Sequence, residues 1–280
     1  MEKTLAKYFP VFVLPTLIAF MIGFVAPFIM GIGLSFTEFT TVSDAKFVFL
    51  DNYVKAFTTT GFLDALWFTT KFAIVSVLSV NICAFLLALL LTRGMKGTNF
   101  FRTVFFMPNL IGGIVLGYIW QLILNGVLAQ FGVTLTYDPK YGFWGLVILM
   151  NWQMIGYMMI IYIAGIQNIS DSVIEAAQID GATPFKIITN MIVPLVMPSV
   201  TICLFLTTSN AFKLFDQNLA LTAGSPSDKT VMLALDIYNT FYGRVGWEGV
   251  GQAKAVIFFI LVAMISLPQL VTTRKREVEE

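Results

Sequence analysis

The segment EAAQIDGATPFKIITNMIVP, residues 175–194, is the most polar helical run of a chain that is otherwise strongly apolar, and it lies between two hydrophobic stretches. Its punctuation reads as helix, turn, helix. Ser172 and Glu175 match the S-x-x-E capping box, which predicts a helix starting at Ser172. Gly181 supplies a left-handed stop, and Thr183-Pro184 restarts a second helix as N-cap and first-turn proline, running on toward Pro194. On the first helix Val173, Ala176, Ala177 and Asp180 share one face, and two adjacent alanines leave it thin enough for another surface to approach the backbone. Asp180 falls at a helix C-terminus, where the dipole disfavours an acid. The residues alone leave two readings open. Either Glu175 caps and Asp180 makes an Asx turn over Gly181, or this face docks a partner.

The chain around it is built for a bilayer. Of 280 residues, 58% are hydrophobic and 12% are charged, and the mean hydropathy is +0.83. Soluble domains carry about 25% charged residues. A net charge of +1 argues against a nucleic-acid partner, and the absence of His excludes imidazole chemistry and His-based metal sites. Cys83 and Cys203 each sit in an apolar run and read as small buried packing residues.

Six uncharged runs are long enough, or nearly so, to cross a ~30 Å hydrocarbon core at ~1.5 Å per residue. They cover residues 11–36, 72–91, 103–125, 143–166, 191–212 and 255–273. The expected fold is an all-α integral membrane protein with six transmembrane helices in a single domain over residues 1–280. The first run exceeds the apolar core of a signal peptide, and no small-residue cleavage pattern follows it, so it reads as an anchor. Lys3, Lys7, the loop with Arg93, Lys96 and Arg102, and the tail RKREVEE all fall on one side of a six-span protein. The positive-inside rule makes that side, with both termini and the loop 167–190, cytosolic. This loop is the exception to the charge bias, with Asp171, Glu175 and Asp180 against a single Lys186. On the other side, the long loop 213–254 contains KTVMLALDIYNTFY, where Val231 or Met232, Leu235 and Tyr238 recur at helical spacing. Pro15, Pro27, Pro108, Pro194, Pro198 and the Gly113–Gly117 pair read as tolerated kinks and points of close packing.

Residues 175–194 strongly resemble the EAA loop of membrane subunits in binding-protein-dependent ABC importers: E-A-A, then D-G-A, then a proline near the end. The resemblance covers nearly the whole chain. FLDNYVKAF resembles the segment after the first span in the carbohydrate-importing branch, and FRTVFFMPNLIGGIVLGYIWQLI resembles that branch's third span. KLFDQNLALTAGSPSDKT is similar to its FD…LT.GGP…T signature, with AGSP in place of G-G-P. Lys254, in GVGQAKAV, stands where the family has a small or apolar residue just before the last span. The resemblance implies a type I ABC importer permease fold of the maltose-transporter type, in the member that pairs with a second, different permease. It implies that residues 167–190 are the coupling helix, seated in a cleft of a cytosolic ATPase. Glu175 would meet a basic residue there, Ala176 and Ala177 would allow close contact, Gly181 would make the turn between the two short helices, and Asp180 would belong to the same coupling surface. The partners implied are that second permease, two copies of the ATPase, an extracellular sugar-binding protein and the sugar. ATP and Mg would belong to the ATPase, and this chain would hold no cofactor of its own.

Two further points follow from the residues. The six runs contain no Asp, Glu, Lys or Arg, so power arrives from outside the chain unless flow is passive. GSPSDKT, residues 224–230, is a poor phosphate loop because Gly224 is one residue too close to Lys229 and Asp228 replaces the second glycine.

On the fourth run Met150, Asn151, Gln153, Met154 and Tyr157 lie within roughly 160° of one helix face. On the fifth, Thr207, Asn210, Ala211 and Leu214 form a narrower stripe. Amides, hydroxyls and an aromatic ring suit a neutral sugar, and interhelical polar packing is the alternative for each residue. In maltose-type relatives these two faces line the sugar cavity. Asn151 and Tyr157 match residue types there, Thr207 replaces another hydroxyl, and Asn210, Ala211 and Leu214 do not match. The rival readings are a sugar or polyol phosphate, for which only Lys213 supplies a cation, and a passive channel or ion-coupled carrier. No acid pair, His cluster or Ser–Lys dyad lies within the runs, which argues against an intramembrane enzyme.

Overall fold

The computed structural model describes residues 2–58 and 61–275, so the last five residues of the basic tail lie outside the described residues. The chain opens with α1 (Glu2–Phe20), a π-helical turn (Met21–Val25), α2 (Ala26–Leu34), the strands β1 (Thr37–Glu38) and β2 (Lys46–Phe47), and α3 (Asp51–Thr58). There follow α4 (Phe62–Leu91), α5 (Thr98–Phe106), a 3-10 turn (Met107–Leu110), α6 (Gly113–Ala129) and α7 (Pro139–Gln167). Then come α8 (Asp171–Ile179), α9 (Pro184–Ile187), a π-helical turn (Ile188–Ile192), α10 (Val193–Leu195) and α11 (Met197–Phe212). The last elements are α12 (Asp216–Leu221), α13 (Leu233–Gly243) and α14 (Glu248–Arg274). Among the described residues the only strands form one antiparallel pair, Thr37 facing Phe47 and Glu38 facing Lys46.

Four helical stretches, Phe9–Leu34, Phe62–Leu91, Pro139–Gln167 and Glu248–Arg274, are each long and apolar enough to cross a membrane. Two bent pairs bring the number to six when each is taken as one span. The predicted third and fifth spans are therefore broken helices, bent more sharply than the kinks expected from Pro108, Pro194 and Pro198. Thr98–Leu110 meets Gly113–Ala129 at 103°, and Pro184–Leu195 meets Met197–Phe212 at 71°. At the first break Ile111 and Gly112 are extended (ψ of 130° and 140°) just after Pro108. At the second, Val196 stands between Pro194 and Pro198, which remove two backbone donors from the helical ladder. The second and sixth helices also start earlier than predicted, at Phe62 and Glu248.

The chain divides into two compact units. One comprises residues 1–60 and 237–259, the other residues 61–236 and 260–280. In the first unit the helix Phe9–Leu34 shows its apolar side chains outward: Phe12 is 76% exposed and Ile22 69%. Water would penalise such a surface, and lipid accepts it. The Leu-Asp-Asn-Tyr motif is a clasp. Asn52 is buried and donates to the carbonyls of Ser35 at 3.0 Å and Thr37 at 2.8 Å, while the Ser35 and Tyr53 hydroxyls pair at 2.6 Å. Gly249 lies so close to Asn52 and the Thr37 carbonyl that a Cβ would collide with both. Lys254 is buried and donates to the Thr240 hydroxyl at 2.8 Å. The last membrane-crossing helix thus carries a buried cation, which the charge-free run starting at residue 255 left out.

The second unit is organised around α4, α7 and α11. The buried side of α4 repeats every three or four residues through Ala65, Thr69, Ala73, Ser76, Val80, Ala84 and Ala88, a seam of small side chains that lets helices approach. Asp138 caps α7 by accepting from the Lys140 amide at 2.8 Å, with Pro139 in the first turn. Between the helices Tyr162 donates to Asn81, Asn81 donates to Thr207, and Thr207 donates to the Cys203 carbonyl. Cys203 is buried as predicted, but Cys83 is exposed on the outer side of α4, which corrects that reading. A Cβ on Gly117 would come within 2.6 Å of the Ala220 Cβ, so α6 and α12 touch backbone to backbone, as a packing glycine requires. Asn218 holds the loop that follows: its amide donates to the Thr230 carbonyl at 2.8 Å and to the Thr222 hydroxyl, and its oxygen accepts from the Met232 amide.

Candidate functional site

Two groups of residues stand out, one at the polar loop and one at the breaks between helices.

At the loop, α8 ends at Asp180, Gly181 takes a φ of +77°, and Thr183 caps α9 by accepting from the Lys186 amide at 3.4 Å. The N-terminal detail differs from the sequence reading. Ser170 is the N-cap, Ser172 lies inside the first turn with its hydroxyl on that of Ser170, and the Ser172–Glu175 capping box does not form. Glu175 and Asp180 are exposed and make no side-chain hydrogen bond or ion pair with any described residue, so neither the cap nor the Asx turn occupies them. The alanine face is divided. Ala177 is buried, whereas Ala176 is exposed beside Glu175. Two apolar side chains that the sequence reading passed over project outward from the same segment: Ile179 is 87% exposed and Phe185 75%. An apolar pair flanking an unpartnered acid has the composition of a contact surface. Behind the loop lies a cavity of about 510 Å³ bordered by Arg93, Gln167, Asp171 and Ile174.

The second group lines a cavity of about 240 Å³. Met150, Gln153, Met154 and Tyr157 of α7 face it together with Asn210 and Leu214 at the end of α11. Asn151, Thr207 and Ala211 do not. Asn151 lies roughly 60° around the helix from Met154 at 100° per residue, and it donates to the Ser79 hydroxyl and the Val147 carbonyl, both at 2.8 Å. Thr207 is inside the Tyr162–Asn81 network, and Ala211 is fully buried. Three residues complete the lining that were not on the predicted faces: Asn109, Lys213 and Gln217. Lys213, three residues from Asn210, is the cation that the sequence singled out for a phosphate-bearing solute. Asn109 and Gln217 arrive only because the chain breaks at Ile111 and after Phe212.

The polar groups in this cavity are ordered. Gln217 donates to the Gln153 oxygen at 2.8 Å, and Gln153 donates to the Ile111 carbonyl at 3.4 Å. That carbonyl sits in the broken span, where the helical ladder is interrupted, and the glutamine supplies its partner. Asn210 spends one donor on the Leu206 carbonyl at 2.9 Å, leaving its oxygen for a guest. The Tyr157 ring packs edge-on against Phe106, with centroids 6.2 Å apart. Chemically the cavity's residues carry amide donors and acceptors, a phenol, two thioethers and one ammonium, groups suited to hydrogen bonding with a hydroxyl-rich solute.

Residues 82–274 match the family described as binding-protein-dependent transport system inner membrane component. The chain is 44% identical over 277 residues to the probable starch degradation products transport system permease of Thermoanaerobacterium thermosulfurigenes, covering 96% of this chain and 94% of that one. It is 28% identical over 288 residues to the multiple sugar-binding transport system permease of Streptococcus mutans, covering 99% of each. Among solved structures, a chain of a bacterial ABC transporter that imports the acidic polysaccharide alginate superposes with a TM-score of 0.81 at 22% identity, covering 98% of both chains. The chain described above, with its bent membrane helices and its polar helix–turn–helix loop, belongs to the family of inner membrane components of binding-protein-dependent transport systems and has the fold of an ABC importer permease.

Proposed function

We propose that this chain is one of two different permease subunits of an ATP-driven oligosaccharide importer, and that the cavity between α7 and the end of α11 is its share of the sugar passage. The observation that carries the reading is the meeting of Gln153, Tyr157, Asn210 and Gln217 in one cavity at two helix breaks. Broken helices place ordered polar groups at membrane depth without leaving backbone groups unpaired. The names of the sugar permeases to which the chain is 44% and 28% identical support a saccharide as the solute. The loop of α8 and α9 then couples the passage to a cytosolic ATPase, two copies of which bind the ATP and Mg. Glu175, Ala176, Asp180, the turn at Gly181, and exposed Ile179 and Phe185 form the docking surface, with Ala177 holding it to the body of the protein. Both termini are cytosolic on this reading, and an extracellular binding protein delivers the sugar.

The test is to replace Glu175 by Arg and Gly181 by Val in the assembled transporter and measure ATP-dependent sugar uptake and ATPase co-purification. Both should fall, because a like charge would face the basic cleft and a β-branched residue resists a φ of +77°. Full uptake with normal ATPase retention would remove the coupling role.

A further inference from the structure

The cavity contains one formally charged side chain. Lys213 is the C-cap residue of α11, it is exposed, and it makes no ion pair with any described carboxylate. Among the described residues no carboxylate lines the cavity. The nearest acid along the chain, Asp216, lies against α6, where a Cβ on Gly113 would stand 3.1 Å from its Oδ2, and it is not part of the lining. The helix dipole accounts for a cation being tolerated at the end of α11. It does not account for this residue bordering the cavity. Recognition of hydroxyl groups does not require it either, since the amides already supply donors and acceptors of both kinds.

A fixed positive charge in a confined passage acts on the sign of what enters. It raises an electrostatic barrier to cations, as fixed cationic groups do in selective pores. We propose that Lys213 is a charge filter, so that the passage takes neutral saccharides and saccharides bearing a carboxylate and rejects those bearing an ammonium group. This rests on the reading of the cavity as the sugar passage.

The experiment uses the complete transporter, with its partner permease, ATPase and binding protein, in liposomes. Initial ATP-driven uptake is measured for one oligosaccharide in three forms: neutral, with one hydroxymethyl oxidised to a carboxylate, and with one hydroxyl replaced by an amine. Each is supplied at a concentration that saturates the binding protein. For any form the binding protein does not hold, equilibrium binding to the nucleotide-free complex gives the same comparison. The wild type should handle the amine form about tenfold less well than the neutral one. In Lys213→Gln that ratio should move toward unity, in Lys213→Glu it should invert with loss of the carboxylate form, and Lys213→Arg should keep the wild-type ratio. The ratios do not depend on how much active transporter each variant yields. Equal handling of the amine and neutral forms by the wild type, or ratios unmoved in Lys213→Gln and Lys213→Glu, would overturn the filter. If the wild type takes up none of the three forms with ATP, the saccharide reading itself falls and takes the filter with it.

Discussion

Tyr162 on α7 donates its hydroxyl proton to the Asn81 side chain on α4 at 2.8 Å, in the buried seam where those helices meet. Asn81 extends the chain to Thr207 of α11 at 2.9 Å. Three helices are thus linked by side-chain hydrogen bonds, while Asn81 and Thr207 also donate to carbonyls of their own helices. Asn81→Ala should destabilise the fold by about 1–2 kcal/mol, because it strands the Tyr162 hydroxyl. Adding Tyr162→Phe should then recover part of the loss. Thermal unfolding of the single and double variants in lipid nanodiscs measures both effects, and purely additive losses would mean that the bond contributes nothing.

Gly156 and Gly126 should respond in opposite ways to the same methyl group. A Cβ at Gly156 would strike the carbonyl of Phe105, so α5 must shift away from α7, whereas a Cβ at Gly126 meets nothing within 4 Å. Gly156→Ala should cost about 1–3 kcal/mol or more and lower the yield of folded protein. Gly126→Ala, inside α6, should be neutral or stabilise by about 0.5–1 kcal/mol. Melting temperatures of the two variants decide the point.

Asn151 and Gln153 are two residues apart and have different surroundings. Gln153→Ala removes both a cavity group and the partner of Gln217, and should raise the KM for sugar uptake by about tenfold. Asn151→Ala removes a bond to Ser79 in the helix seam, and should lower stability while leaving KM where it was. Uptake kinetics and thermal unfolding, measured on both variants, separate the roles; a raised KM in Asn151→Ala would put that residue back in the passage.

Lys229 pairs with Asp64 at 2.9 Å, but both side chains are more than half exposed. Such a pair is worth less than about 1 kcal/mol. Lys229→Ala should therefore change stability little, and it should leave the ATP requirement of transport untouched, because the surrounding GSPSDKT turn is no nucleotide loop. A shift in the KM for ATP would contradict this.

The sequence determined the class of solvent, the six crossings, the turn at Gly181 with its restart at Thr183-Pro184, the helix in the long loop and most of the α7 face, because each depends on spacing within one segment. Hydropathy and the conformational freedom of glycine and proline act locally and can be read locally. The capping box at Ser172 was misread because the helix starts two residues earlier, with Ser170 at the N-cap position, and the two serine hydroxyls pair with each other. Whether the third and fifth crossings are straight, and which sides of the helices the cavity takes, were decided by tertiary structure. Asn109 and Gln217 reach the cavity because the chain breaks at Ile111 and after Phe212, and what packs against a break sets its angle. Asn151, Thr207 and Ala211 are drawn into helix seams because a buried polar group or a thin backbone finds its partner there, and no periodicity within a single helix records where its neighbours stand.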